Sequence, residues 1–305
     1  MKIGFDMTDE KQTYNCDLCG SVNAAEISVA RAYTNDQPLH VCRDCGFVYV
    51  RDRRSPEAIA RSWSEDIFKA GSNRSYTARI PAVKARQTYV AEFVHDAVNL
   101  QGKSLCDIGG GEGQFLEIVR GPDFGAEVFA VEPSTSNCEA MRGNGINCFE
   151  GSIEDFSASS VAQNRQFDVV TIMWTLENCN NCRTMLDAAW DILKPGGYIC
   201  IATGSRLLVP FKKPLNLYLS TNPIDTHCFR FSGKTLPGHL AVSHFKTTHI
   251  NRFIDTDYLV VVGQKVDKGT DIPWQRDDAD AVIDFFRRWD EETRAHYPAD
   301  KSLEG

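Results

Sequence analysis

Beyond residue 100 the chain alternates short apolar runs with amphipathic stretches. The runs stand at Ser104–Ile108, Glu127–Glu132, Ile146–Phe149, Phe167–Met173 and Tyr198–Thr203, and they are rich in β-branched and aromatic residues. Strands buried on both faces have this near-continuous apolar pattern. Between them, apolar residues recur at helical spacing. The clearest such segment, Thr184–Leu193, is followed by Lys194-Pro195-Gly196-Gly197, which cannot continue a helix. Strands alternating with helices predict an α/β fold with a parallel sheet covered on both faces. Two later runs, His244–Phe253 and Tyr258–Gln264, are close enough to form a terminal antiparallel pair. Upstream, Ser55–Leu100 reads as helical, with Ser55 as N-cap and Pro56 at the first helical position. Gly71-Ser72-Asn73 interrupts it before Tyr89, Phe93, Val94 and Val98 recur on one face. The tail from Asp277 to Tyr297 predicts one amphipathic, charged helix.

Composition narrows the class. With 305 residues, 42% hydrophobic and 24% charged, the chain can bury a sizeable core. No run approaches the roughly 20 apolar residues of a membrane helix, and Met1 to Tyr14 lacks a signal peptide's apolar stretch, so the expected address is cytoplasmic. The net charge of −8 disfavours nucleic acid on average. Residues 1–50 are net −3, whereas residues 51–90 are net +5, so a polyanion would meet the second stretch.

The sharpest chemical signal is Asp107-Ile108-Gly109-Gly110-Gly111-Glu112-Gly113-Gln114-Phe115, directly after a strand and opening a helix. Glycines there let the backbone turn tightly and let a ligand approach free amides. Asp107, at the strand end, would repel a phosphate and suits a cationic amino-acid group. The next strand ends in Glu132-Pro133, where an acid can take both hydroxyls of a ribose. One strand later, Gly151-Ser152-Ile153-Glu154-Asp155-Phe156 forms a turn able to border an adenine ring. Taken alone, the glycine loop is equally compatible with a nicotinamide or flavin domain.

Further motifs shift that balance: Phe167-Asp168-Val169-Val170, Thr175-Leu176-Glu177-Asn178 and Leu193-Lys194-Pro195-Gly196-Gly197. Their order resembles the class I S-adenosylmethionine-dependent methyltransferase family across roughly residues 85–265. The resemblance implies a Rossmann-like, seven-stranded, mostly parallel sheet with an antiparallel terminal hairpin. It also implies that Asp107 and Gly109, Gly110, Gly111 and Gly113 hold the methionine portion of the donor, and that Glu132 holds the ribose. Phe115, Pro133, Ser152, Ile153, Glu154 and Trp174 complete the expected donor surroundings. Ser152 departs from the family, which commonly has an acid there; Glu154 or Asp155 are the candidate substitutes.

Eleven cysteines in a reducing compartment argue for metal ligands plus buried thiols. Cys16-Asp17-Leu18-Cys19 and Cys42-Arg43-Asp44-Cys45 are two CxxC knuckles, each followed by glycine. They predict a structural Zn2+ site of the ribbon type, with no open coordination position. A unit of about 40 residues holds itself together poorly without such a staple. Cys179 and Cys182 have no partner pair nearby and read as coincidence, with a redox or second-metal role as the alternative.

A zinc ribbon joined to such a domain resembles sugar C-methyltransferases acting on nucleotide-linked keto-sugars, and methyltransferases of surface-polysaccharide pathways. The resemblance implies a small-molecule, saccharide-type acceptor; the lack of a membrane-length apolar run and the acidic net charge argue against membrane and nucleic acid as partners. This chain departs from the family in reading Glu177-Asn178 where Glu-His is usual, and in lacking a further C-terminal domain. Replacement chemistry is expected in Asn222–Ser232, where His227 is the candidate base, Asp225 its orienting partner and Arg230 an anion contact. Glu177 either lines the pocket or accepts backbone amides, and Tyr76 is a candidate cover. Arg206, Lys212 and Lys213 either favour an anionic acceptor or form a solvated face. His239, His244 and His249 are ordinary, the last two on a strand. The expected plan is a zinc ribbon (1–54), a helical connector (55–100), a donor-binding domain (101–268) with an acceptor insertion at about 204–240, and a helical tail (269–305). Two competing readings are an RNA-base methyltransferase and a non-catalytic, zinc-anchored binding protein.

Overall fold

The computed structural model describes residues 11–62, 81–163, 165–209, 213–222, 224–252, 256 and 258–296. The apolar runs become strands where the pattern places them. β1 (Gln12–Thr13), β2 (Ala24–Glu26), β3 (Leu39–Cys42), β4 (Val48–Val50) and β5 (Asp52–Arg53) precede the first helices, Pro56–Arg61 and Pro81–Val98. Next come β6 (Ser104–Ile108), β7 (Glu127–Glu132), β8 (Asn147–Glu150), β9 (Phe167–Met173) and β10 (Leu193–Thr203), with helices between them. β11 (Phe229–Arg230), β12 (Phe245–Ile250) and β13 (Leu259–Lys265) follow, and the helix Ala279–His296 ends the described chain.

Among the described residues the main sheet has seven strands in the order β12-β13-β10-β9-β6-β7-β8. The five from β10 to β8 run parallel, and β13 and β12 close the edge antiparallel. This is the Rossmann-like methyltransferase fold. The chain leaves β6 towards β7 on one side and returns to β9 on the other, so the crevice of the sheet opens at the carboxyl ends of β6 and β9.

Two local differences have simple causes. Lys194-Pro195-Gly196-Gly197 does end the helix, which spans Cys182–Ile192, but the turn then lies inside β10, with a register shift between Leu193 and Tyr198. His244 lies outside β12, because its φ of 64° bends the chain just before the strand begins. Among the described residues no helix is long and apolar enough to cross a membrane.

The helix Pro56–Arg61 begins as its sequence dictates, with the Ser55 side chain accepting from the Ala58 amide. Its predecessor, the four-cysteine unit, does not stand apart. β4 pairs with β3 on one side and with β11, from the acceptor insertion, on the other, giving a second sheet β11-β4-β3-β2. Leu18, Phe47 and Tyr49 belong to the same buried cluster as Ile108, Val131 and Ile172 of the main sheet. Another core joins Val41 and Val50 to Leu207, Leu215 and Leu219, and to Val282, Phe286 and Trp289 of the final helix. Ribbon, insertion and tail thus bury one another.

Candidate functional site

Asp107 stands at the end of β6 and is 1% exposed. Its Oδ1 accepts from Thr171 Oγ1 at 2.6 Å, across the β6–β9 register that pairs the two residues. Burial, opposed by that hydrogen bond and reinforced by the charge of Glu132, pushes the Asp107 carboxyl up to about 7. The glycine loop closes over it. Gly109 has φ 71°, and a Cβ there would lie 2.5 Å from Thr175, so the loop presses directly on the turn after β9. Gly111 has φ 56°, and a Cβ there would meet nothing within 4 Å, so its bare face looks into open space.

Glu132 ends β7 and is buried. Its Oε2 accepts from the Gly111 amide at 2.9 Å and its Oε1 from the Ser134 amide at 2.9 Å. The second carboxylate therefore fixes the loop that the first one underlies. Pro133 beside it is exposed.

The far wall comes from the segment after β9. Trp174 holds φ 55°, a costly conformation for a bulky residue and a frequent mark of functional sites. Among the described residues, its indole Nε1 is buried without a hydrogen-bond partner, and so is Nε of Arg86, whose guanidinium lies 4.3 Å over the Trp174 ring. Glu177, 1% exposed, accepts from the Gly204 amide through Oε1 at 3.2 Å, while Oε2 has no partner among the described residues. One oxygen of Glu177 thus serves the backbone, as expected for an acceptor of backbone amides. The unsatisfied buried donors of Trp174 and Arg86 suit a ligand that carries a carboxylate, as S-adenosylmethionine does.

Several expected donor contacts are spent elsewhere. Ser152 and Asp155 form a reciprocal capping box at the helix Ile153–Ala158, so Asp155 is engaged in the cap, and Glu154 is exposed. The side chains of Ile153 and Phe115 are buried in the two cores flanking the sheet. A motif locates such residues along the chain without giving their directions. Arg86 escapes a reading of the sequence because its partner, Trp174, is remote along the chain.

On the acceptor side, His227 Nδ1 lies 2.5 Å from Asp225 Oδ1, which also accepts from the His227 amide. Burial raises the Asp225 carboxyl, but the His227 hydrogen bond and the charges of His227 and Arg230 outweigh it and hold it at about 2. Asp225, His227, Arg230 and Ser220 share a cleft with Thr34, Asn35, Gln37 and Leu39 of the cysteine unit. Arg206 is buried and donates to the Tyr258 carbonyl, which excludes the solvated-face reading for it. Tyr76 and Lys212 lie outside the described residues. His239 is fully buried and packs edge-on to Phe47, its imidazole pushed down to about 3 by burial. His249 does lie on β12.

The four sulfurs of Cys16, Cys19, Cys42 and Cys45 all lie within 4.8 Å of one another, two pairs at 3.5 Å. Thiolates around a tetrahedral Zn2+, at about 2.3 Å from the metal, stand about 3.8 Å apart, so the cluster fits. The knuckles match: Gly20 and Gly46 have φ 76° and 72° and donate to the Cys16 and Cys42 carbonyls. In contrast, burial and the adjacent Cys179 push the Cys182 thiol far up, which suits a packing role.

A family model described as a methyltransferase domain matches residues 83–250. The ubiquinone biosynthesis O-methyltransferase of Cronobacter sakazakii is 32% identical over 129 residues, covering 40% of this chain and 49% of the relative. That of Xanthomonas oryzae pv. oryzae is 29% identical over 154 residues, covering 48% and 62%. The match spans about half the length of these curated relatives, and the resemblance to sugar enzymes finds no counterpart in them. Among solved structures, the Burkholderia thailandensis 1,6-didemethyltoxoflavin-N1-methyltransferase, with 1,6-didemethyltoxoflavin and S-adenosylhomocysteine bound, has a TM-score of 0.52 at 14% identity, covering 72% of this chain and 96% of that one. The Synechocystis PCC 6803 magnesium protoporphyrin IX methyltransferase, with S-adenosylhomocysteine bound, has a TM-score of 0.50 at 11% identity, covering 70% and 100%. At these identities the likeness is one of fold. Glycine loop, paired acids, strand order and the matched residues agree: the chain belongs to the methyltransferase domain family.

Proposed function

We propose that this protein transfers a methyl group from S-adenosylmethionine to a small polar acceptor, a saccharide or nucleotide-linked saccharide. The observation that carries the donor assignment is the pairing of Glu132 with the Gly111 amide above a buried Asp107. Asp107 lies under the loop where a cationic amino-acid group is expected, and Glu132 stands where it can accept ribose hydroxyls. Nε of Arg86 and Nε1 of Trp174, without partners among the described residues, are the proposed hydrogen-bond donors to the carboxylate end of S-adenosylmethionine. When bound, the donor supplies an electrophilic methyl group. The protein's own work is to orient it, exclude water and place the acceptor in line.

The acceptor class rests on the resemblance to sugar enzymes, supported by the mostly polar side chains around His227. The cleft itself admits little more than a water molecule, so an acceptor would meet His227 at its rim, while the buried Arg230 donates to the His227 and Phe229 carbonyls. His227, held by Asp225, is the proposed base, and Glu177 is the second candidate. The names of the curated relatives point instead to an oxygen methylated in ubiquinone biosynthesis.

Calorimetry with S-adenosylmethionine and S-adenosylhomocysteine tests the donor. Glu132→Gln should weaken both at least about ten-fold through loss of charge-assisted hydrogen bonds. Uptake of a nicotinamide dinucleotide in preference to both would overturn the reading. For the acceptor, methyl-labelled donor is offered with nucleotide-linked sugars and with catechols. Label on catechols alone would replace the saccharide by a phenol.

A further inference from the structure

Arg53 is the largest fully buried side chain among the described residues and carries a charge. Such a group persists only when its surroundings satisfy it. Its Nε donates to the Val50 carbonyl at 2.7 Å, Nη1 to Asp17 Oδ1 at 3.0 Å and to the Asn180 carbonyl at 2.5 Å, and Nη2 to Asp17 Oδ2. The guanidinium is sandwiched between the rings of Tyr14 at 4.4 Å and Phe229 at 4.6 Å.

Each partner belongs to a different part of the machinery. Asp17 sits between Cys16 and Cys19 of the first knuckle. Asn180 is three residues beyond Glu177, and it is held again by Tyr14 Oη and by the Arg54 carbonyl. Phe229 opens β11, and the Cys228 amide before it donates to the Glu177 carbonyl at 2.8 Å. The knuckle, the Glu177 loop and the acceptor-side strand therefore meet at one guanidinium.

We infer that Arg53 is a positioning residue, which transmits the geometry of the four-cysteine cluster to Glu177 and β11 while leaving donor binding unaffected. The inference concerns placement of the acceptor side and rests on the reading of the cysteine cluster as a metal site. A planar fork is required, because acceptor residues on three segments (Val50, Asp17 and Asn180) must be reached at fixed angles. A lysine can neutralise Asp17 but cannot span all of them.

The test is amide hydrogen exchange on the full chain, with S-adenosylhomocysteine calorimetry and Co2+ loading as controls. The reporting amides are Asn178, which donates to the Thr175 carbonyl, and Cys228; the reference is Gly109, which donates to the Val131 carbonyl. In Arg53→Lys and Arg53→Gln the two reporters should exchange about ten-fold faster, as expected for losing one charge-assisted bond. Gly109, Co2+ binding and affinity for S-adenosylhomocysteine should match the unsubstituted protein. Withdrawing the metal from the unsubstituted protein should free the same two amides. Full protection in Arg53→Lys would reduce the role to charge neutralisation and overturn the inference. Equal loss at Gly109 would reduce it to general stability and overturn it as well. If Arg53→Gln does not fold, Arg53→Lys and metal withdrawal decide alone, and protection that survives metal withdrawal also overturns it. Loss of S-adenosylhomocysteine binding by the unsubstituted protein would instead strike the proposed function.

Discussion

Asp107 and the loop above it carry two consequences that separate folding from binding. The folded carboxyl is raised from 3.8 to about 7, so it favours the folded state most below pH 4, and that contribution is lost as pH rises through about 7. A cationic donor has the opposite preference, since it gains from the ionised form. Affinity for S-adenosylmethionine should therefore rise about ten-fold from pH 6 to pH 8, with proton release visible in buffers of different ionisation enthalpy, and Asp107→Asn should flatten that dependence. The glycines should divide in a different way. Gly109→Ala places a methyl group 2.5 Å from Thr175 and should lower the melting temperature. Gly111→Ala meets nothing within 4 Å. It should cost only the roughly 1 kcal/mol of a left-handed alanine and yet abolish donor binding, because its methyl group enters the ligand space. Similar thermal shifts for both variants would contradict the assignment of the open face. Asp107, the glycines and Glu132 are legible in the sequence because a strand end and its glycine turn are local patterns. The roles of Ser152 and Asp155 are not, because a turn bordering a ligand and a helix N-cap use the same residue types.

At the level of elements, the five parallel strands announce themselves because burial on both faces leaves continuous apolar runs. β6, β7 and β9 have the boundaries that the pattern gives. β10 is longer than its pattern predicts, because proline and glycine ordinarily end an element, whereas here they form an irregularity inside the strand. β11 has no signature in the sequence at all. It is two residues long and exists through its antiparallel pairing of Phe229 with Tyr49 and of Arg230 with Val48. No periodicity can be seen in so short a segment, and its partner lies far away along the chain. The final helix is legible from its amphipathic pattern, but its seat is not. Asp277 donates its amide to the Cys45 carbonyl and its carboxylate accepts from Ser232 Oγ, while Arg43 pairs with Asp280. A Cβ on Gly46 would lie 2.5 Å from the Asp277 carbonyl oxygen. The second knuckle's glycine thus serves both its own turn and the close passage of the tail.

For the whole molecule, residues 1–54 read as a zinc ribbon followed by a helical connector. The packing binds that ribbon closely to the rest of the chain. Cys42, Cys45, Phe47 and Tyr49 are fully buried, in the same cluster as Phe229, Phe231 and Leu236. Removing residues 1–54 would strip the partner from β11, expose those aromatic side chains and leave the backbone carbonyl of Cys228 without the Val50 amide it accepts. It would also open the core that Val41 and Val50 share with Phe286 and Trp289. At about 25 cal/mol per Å2 of apolar surface returned to water, uncovering several such rings takes away a large part of a typical domain's margin of about 5–15 kcal/mol. A chain of residues 55–305 should therefore aggregate or bind a hydrophobic dye, even though it retains every strand of the seven-stranded sheet. Sedimentation velocity alongside the 305-residue chain checks this. A monodisperse fragment with full affinity for S-adenosylhomocysteine would show that the ribbon is an appendage, and that the shared cores contribute little to holding the donor domain together.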